Sequence, residues 1–153
     1  MSVKICVCSD NHGDINSINK ILLDNQTCDY YFHLGDSNLD SEIIKPFISV
    51  QGNNDWNGNF PFKRTVQIGN HNILLIHGTG FTHSYEELAN KAKIENCDVI
   101  MFGHTHVFLD IVYNGIRIIN PGSCYHNRDL SNPCYAIVNI EEDGKIVVER
   151  VDL

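Results

Sequence analysis

Short apolar runs that stop at glycine alternate, over the first part of the chain, with stretches whose apolar residues recur at helical spacing. Residues 3–8 (VKICVC) read as a buried strand that SDNHGD breaks at Gly13. Residues 14–25 follow as a helix, with Ile15, Ile18, Ile21 and Leu22 at helical spacing behind a candidate N-cap. A second short strand, 30–34, closes on GD; 41–47 holds a broken helical turn before Pro46; a third strand, 48–50, closes on GNND. Strands at 65–68 and 72–76, joined by GNH, run into HG. A helix over 84–96 carries Leu88, Ala89, Ala92 and Ile94, and a strand at 99–102 feeds GHTH. Beyond Val107 the pattern is all hairpins: 108–113 and 116–119 around the Asn114–Gly115 turn, then 135–140 and 146–151 around EDG.

An alternating first part and an all-strand end, with no linker or repeat between them, predict an α/β chain. Its expected form is a four-layer α-β-β-α sandwich of two mixed β-sheets flanked by helices, with residues 1–153 as one domain. A chain of 153 residues can bury roughly 68–70% of its unfolded surface, so it needs no disulfide or structural zinc. Cys6 and Cys8 lie inside a strand pattern, and Cys28, Cys97, Cys124 and Cys134 are scattered without CxxC spacing; the expectation is reduced, mostly buried thiols. There is no cationic leader and no apolar run near the ~20 residues of a membrane span, which points to a cytoplasmic protein without a membrane partner. The net charge of −8 disfavours a broad surface for long nucleic acid and suits a site that holds cations.

The chemistry sits after the strands. Asp10 and His12 follow the first, Asp36 the second, Asn53 the third, His77 the strand at 72–76, and His104 and His106 the strand at 99–102. In an open α/β sheet, residues beyond the carboxyl ends of neighbouring strands converge on one crevice. All are oxygen or nitrogen donors. Mixed imidazole and carboxylate sets suit manganese, iron or zinc better than calcium or magnesium, and this set is long enough for two ions with a carboxylate between them.

The ordered set SDNHGD, GD, GNND, HG and GHTH, with the short length and the NPGS at residues 120–123, resembles the calcineurin-like metallophosphoesterase superfamily and its small bacterial and archaeal phosphodiesterase branch. The resemblance covers essentially the whole chain. It implies that Asp10, His12 and His106 hold one metal, that Asn53, His77 and His104 hold the other, and that Asp36 bridges them. Two cations roughly 3.5–4 Å apart activate a bridging water and clamp a phosphoryl group during in-line displacement. The implied activity is hydrolysis of small or nucleotide-like phosphodiesters by a metal-bridging hydroxide, with Asn53 or Asn54 stabilising the developing charge. The implied cofactors are two divalent ions, manganese first, with nickel, iron, zinc and magnesium as alternatives. Relatives of this size often assemble as dimers or tetramers, so the resemblance implies a homodimer or homotetramer.

Two departures stand out. Many relatives have histidine where Asn54 stands, and an asparagine donates a hydrogen bond but cannot transfer a proton to the leaving group. Thr79 likewise replaces a histidine that often follows HG. Asp55 is expected to orient a ligand, with His12 the candidate, and not to bind metal itself. Outside the set, Arg128 is a candidate for bidentate contact with a substrate phosphate. His33 reads as structural, and His71, His83 and His126 read as loop or surface residues. Trp56 and Phe60 are expected to pack under a loop in preference to stacking on a nucleobase. The rival class is a protein-interaction scaffold of the retromer-subunit type, which need not keep every donor; here every expected ligand position is filled.

Overall fold

The computed structural model of the protein describes residues 2–56, 59–80 and 84–153. In chain order the elements are β1 (Val3–Cys8), α1 (Ile15–Asp24), β2 (Tyr30–His33), β3 (Ile48–Ser49), β4 (Lys63–Ile68), β5 (His71–Ile76), α2 (Tyr85–Ile94), β6 (Val99–Met101), β7 (Phe108–Tyr113), β8 (Ile116–Pro121), β9 (Cys134–Ile140) and β10 (Ile146–Asp152). They form two five-stranded sheets, ordered β10-β9-β1-β2-β3 and β4-β5-β6-β8-β7. Both sheets are mixed. β1, β2 and β3 are parallel, β9 lies antiparallel beside β1, and β10 is antiparallel to β9. β5, β6 and β8 are parallel, flanked by antiparallel β4 and β7.

The period of two explains why the central strands are apolar on both faces. In β1, Ile5 and Val7 point between the sheets, where they meet Phe32, Ile73, Leu75, Met101 and Ile119. Cys6 and Cys8 point outward under Ile18 and Ile21 of α1. In β5 the same alternation sends Ile73 and Leu75 inward and Leu74 and Ile76 outward, under Leu88, Ala89 and Ala92 of α2. The layers are therefore α1, first sheet, second sheet, α2, as the sequence pattern predicts. No helix among the described residues is long and apolar enough to cross a membrane. All six cysteines are free, and all but Cys28 are fully buried.

Local signals fix the helix ends. The Asp14 carboxylate accepts from the Asn16 N–H at 3.0 Å to start α1, and the Ser84 hydroxyl accepts from the Glu87 N–H at 3.3 Å to start α2. Glu86 and Glu87 in the first turn of α2 and Lys91 and Lys93 in the last complement its dipole. The helix is shorter than the predicted 84–96, because Ser84 is the cap and Asn96 adopts a left-handed backbone at φ 59°. β4 begins two residues before the predicted strand, because pairing with β5 continues to Lys63 opposite Ile76. Residues 41–46 form successive turns and not a helix.

At the end of the sandwich away from the parallel strands' carboxyl termini, His71 ties the sheets together. Its Nδ1 lies 2.6 Å from Asp98 Oδ2, and its Nε2 lies 2.6 Å from the Gly144 carbonyl in the β9–β10 turn. Both partners can only accept, so both ring nitrogens must donate and the imidazolium is favoured. Burial works to lower the His71 pKa, but these two bonds outweigh it and hold it above 6.5. A raised folded pKa means that this stabilisation is complete below pH 6.5 and is lost as pH rises through the folded value. Asp98 is 45% exposed, so the effect is discounted for solvent screening, to the order of 1 kcal/mol. Urea unfolding of the wild type should therefore lose about that much more stability between about pH 6 and 8.5 than His71→Gln does. Equal pH slopes for the two proteins would remove the imidazolium from the account.

Candidate active site

The parallel strands of both sheets end at one edge, and the loops that leave them are hydrogen-bonded to one another beyond the last strand residue. Asp10 N–H donates to the Gly35 carbonyl, His12 N–H to Asp36 and Gly13 N–H to Ser37, at 2.8–3.0 Å, so the loops after β1 and β2 continue the sheet ladder. In the second sheet, Gly103 N–H donates to the His77 carbonyl at 3.0 Å. Asp10 joins the two halves: its Oδ2 accepts from Ser9 Oγ at 2.6 Å and from the His104 N–H at 3.0 Å. The turns are too tight for ordinary backbone. Asp10, His12, Asp36, His104 and His106 all have positive φ, between 47° and 68°, a conformation that costs about 1–2 kcal/mol per non-glycine residue. Such residues cluster where surrounding structure over-determines them, which is the signature of a functional site.

The sequence-predicted donors converge here. His106 Nε2 lies 3.3 Å from Asp10 Oδ1 and 3.1 Å from His12 Nε2. His77 Nε2 lies 2.9 Å from Asn53 Oδ1, 3.3 Å from His104 Nδ1 and 3.4 Å from Asp36 Oδ2. Asp36 Oδ2 is also 3.9 Å from His12 Nε2, and Asp10 Oδ1 is 3.9 Å from His77 Nε2, so each carboxylate faces both groups. Asp10, His12 and His106 form one set with metal-binding spacing, and Asp10, Asp36 and His77 form another.

Three observations show that these residues fit a cation. Asp10 Oδ1 is buried and accepts no hydrogen bond. An orphaned buried carboxylate oxygen costs several kcal/mol by the order of magnitude for buried charge, unless something positive meets it. Second, His106 and His77 each point Nδ1 at a backbone carbonyl, His126 at 2.9 Å and Leu34 at 2.7 Å, which fixes the proton there and frees Nε2 for the cluster. Third, bare nitrogens and oxygens facing one another at 3.1–3.9 Å repel unless a proton or a cation lies among them.

Electrostatics agree. Burial works against the charge on Asp10, but His106, His77 and the Ser9 hydroxyl outweigh it and hold the carboxyl below its usual range. Burial likewise opposes ionisation of Asp36, yet His77 and the two Asn54 hydrogen bonds hold it far below the usual range. These carboxylates raise His77 against the effect of its own burial. A cation arriving here displaces a proton. His104 is lowered by burial and by the charges of His77 and Arg128.

The remaining sequence candidates fall into different places. Asn54 bonds Asp36 twice, N–H to Oδ1 at 2.8 Å and Nδ2 to Oδ2 at 3.1 Å. Asp55 does not serve His12. Its Oδ2 accepts from the N–H groups of Asp36 and Gly52, both at 2.8 Å, and its Oδ1 from that of Asn38 at 2.9 Å, so it positions the Asp36 loop. His33 is structural: burial lowers its pKa to about 4, and its Nε2 meets Asn11 Oδ1 at 2.8 Å. Trp56 does not pack under a loop; it is 86% exposed, because the turn holding Asn53 and Asn54 carries it outward. His126 contributes its carbonyl, and His83 lies outside the described residues.

Sequence reasoning missed the residues that hold the loops. Ser123 Oγ donates to the Asp10 carbonyl at 2.8 Å, and Asn120 Nδ2 donates to the Gly103 carbonyl and to Thr105 Oγ1, both at 3.0 Å. The NPGS segment is thus the clamp that holds both halves, and its polar residues inside a buried strand end were the available signal. Gly103 has no room for a side chain, since a Cβ there would lie 2.6 Å from Asp10 Oδ2.

Comparison with known proteins names the class. The description "Calcineurin-like phosphoesterase superfamily domain" matches residues 3–143. The chain is 31% identical over 150 residues to the probable metallophosphoesterase YsnB of Bacillus subtilis, covering 95% of this chain and 89% of that protein. Among solved structures, a predicted phosphoesterase from Streptococcus pneumoniae TIGR4 superposes with TM-score 0.85 at 26% identity, over 100% of this chain and 99% of that one. Vacuolar Protein Sorting 29 from Cryptosporidium parvum shares the fold, with TM-score 0.78 at 22% identity over 99% and 98% of the chains. The protein belongs to the calcineurin-like phosphoesterase superfamily, a membership that implies divalent-metal binding, and it carries residues with the spacing to hold such an ion.

If Asp55 acts by holding the Asp36 loop, Asp55→Asn should weaken metal binding by about 10–100-fold, the range for residues that orient ligands, while leaving the fold intact. Metal titration alongside circular dichroism checks this. Unaltered affinity would make Asp55 a purely local brace.

Proposed function

We propose that the protein is a dinuclear-metal-dependent phosphodiesterase acting on small or nucleotide-like phosphodiesters, with residues 1–153 as its catalytic unit. The observation that carries this reading is Asp10 Oδ1: buried, without a donor, and common to both metal-spaced sets. Asp10, His12 and His106 would hold one ion, Asn53, His77 and His104 the other, with Asp36 between them. Two divalent ions so held would lower the pKa of a water and neutralise charge growing on the phosphoryl oxygens. Asn53 Oδ1 lies 3.3 Å from His104 Nδ1, and Arg128, whose backbone N–H donates to the His106 carbonyl, would supply a cation for the non-bridging oxygens. Asn54 keeps Asp36 in place by two hydrogen bonds and holds no titratable proton, so the leaving group takes its proton from water. Diesters with good leaving groups are favoured on that account.

Five left-handed residues and an orphaned carboxylate oxygen support a cation site, and the family's phosphoesterase character favours the enzyme over a scaffold on the same fold. Chelator-stripped protein, re-supplied in turn with manganese, nickel, zinc and magnesium, should hydrolyse an activated aryl phosphodiester faster than the matching monoester, with manganese the best ion. No turnover with any metal despite bound ions would favour the scaffold. Asp36→Asn should lower turnover by more than about 100-fold, exceeding the loss typical of residues that only orient ligands. Wild-type turnover with full metal occupancy would remove Asp36 from its bridging place. Asn54→His should raise turnover of diesters with poor leaving groups, by up to ~10²-fold, and that of activated ones much less. An equal effect on both would mean that the proton at this position is not limiting.

A further inference from the structure

The loop that follows NPGS is built as a rigid support and carries side chains that the fold does not use. Ser123, fully buried, accepts at Oγ from the N–H groups of Tyr125 at 3.0 Å and His126 at 2.9 Å. Asn127, 1% exposed, receives the Ser123 N–H on its Oδ1 at 2.7 Å and donates to the Asn132 carbonyl at 2.6 Å. The loop grips His106 from both sides, since the His126 carbonyl takes its Nδ1 proton and the Arg128 N–H donates to its carbonyl at 3.1 Å. On this support Tyr125 stands 55% exposed, with its ring centroid 6.5 Å from that of His12. Arg128 is also exposed, and its charge is felt by His104.

Neither side chain is occupied. Arg64 donates to the Ser49 carbonyl, Arg117 pairs with Asp110 and Arg150 with Asp152. Among the described residues, the Arg128 guanidinium and the Tyr125 hydroxyl make no hydrogen bond or ion pair. In a chain with 19 acidic residues against 11 basic ones, an unpaired guanidinium on the loop whose backbone holds His106 has an anion as its natural partner. An aromatic ring held half in water on a fixed loop offers a stacking face at little entropic cost.

We infer that this loop reads the substrate: Tyr125 stacks on a planar nucleoside group, and Arg128 takes the phosphoryl oxygens beside it. The substrate class is then a nucleoside phosphodiester in preference to an alkyl one. The inference rests on the proposed phosphodiesterase reading only for which bond is cleaved, so binding of product-like monoesters tests it separately. Thymidine 5′-phosphate and methyl phosphate present the same phosphoryl group to the manganese-loaded protein, with and without a base.

Calorimetric titration should show the wild type binding the nucleotide more tightly. Tyr125→Ala should reduce the ratio of the two affinities about tenfold, within the range that base–aromatic stacking contributes. Tyr125→Phe should retain the ratio. Arg128→Ala should weaken both ligands, and Arg128→Lys should restore part of the loss. Both residues are exposed, and circular dichroism confirms that the variants fold. Equal affinities in the wild type, or equal weakening of both ligands by Tyr125→Ala, would overturn the inference. Tyr125-dependent binding of the nucleotide without turnover of any diester would sustain it and overturn the phosphodiesterase reading instead.

Discussion

The structure turns on one carboxylate at the seam between two sheets. Asp10 belongs to the first sheet, yet its Oδ2 accepts the backbone N–H of His104 from the second, and its own carbonyl accepts Ser123 Oγ at the end of β8. These bonds lie in a region where Asp10 has no solvent exposure, so each is strong and none is exchangeable for water. They leave Oδ1 facing His106, His12 and His77 without a donor. The same group that aligns the sheets therefore presents the charge around which the site is built, and moving one sheet relative to the other would move the site.

Strain and support follow from this arrangement. Five of the converging residues, two aspartates and three histidines, hold left-handed backbone, which these residue types tolerate better than most but still at a cost. What holds them is the ladder of loop-to-loop bonds beyond the strands, the three backbone N–H groups gathered by Asp55, and the Asn120 and Ser123 side chains. The apolar core between the sheets anchors the strands from which those loops spring. A cation meeting such a site finds donors already oriented, so little of the binding energy is spent on reorganisation.

The sandwich and the donors were legible because both rest on short-range regularities. Alternation in β1 and β5 announces strands buried on both faces, and glycines paired with oxygen or nitrogen donors just beyond the strand ends announce the crevice. What the sequence did not reveal depends on contacts between distant segments. Asp55 looks like a partner for any ligand; only the fold shows that it caps the backbone of Asp36, nineteen residues away. Trp56 looks like a core residue by type, but Asp55 turns inward to the backbone of Asp36 and the tryptophan that follows it stands in water. The start of β4 at Lys63 was hidden because a polar edge strand is specified by its partner and not by its own pattern.

The replacement of a histidine by Asn54 gains meaning from where its amide goes. A histidine at this position has one proton to give and one lone pair to offer. The asparagine has two donors, and one of them is already spent on Asp36 Oδ2, with the backbone N–H on Oδ1. This side chain thus neutralises part of the charge on a carboxylate that faces both metal-spaced sets, and in doing so weakens that carboxylate as a base. The asparagine adds rigidity to Asp36, and on the proposed phosphodiesterase reading the exchange would remove a proton donor from the leaving group. An enzyme arranged in this way relies on the substrate's own leaving group and on firm grip of the phosphoryl group. That places the demand for selectivity on the neighbouring loop, where Tyr125 and Arg128 remain uncommitted.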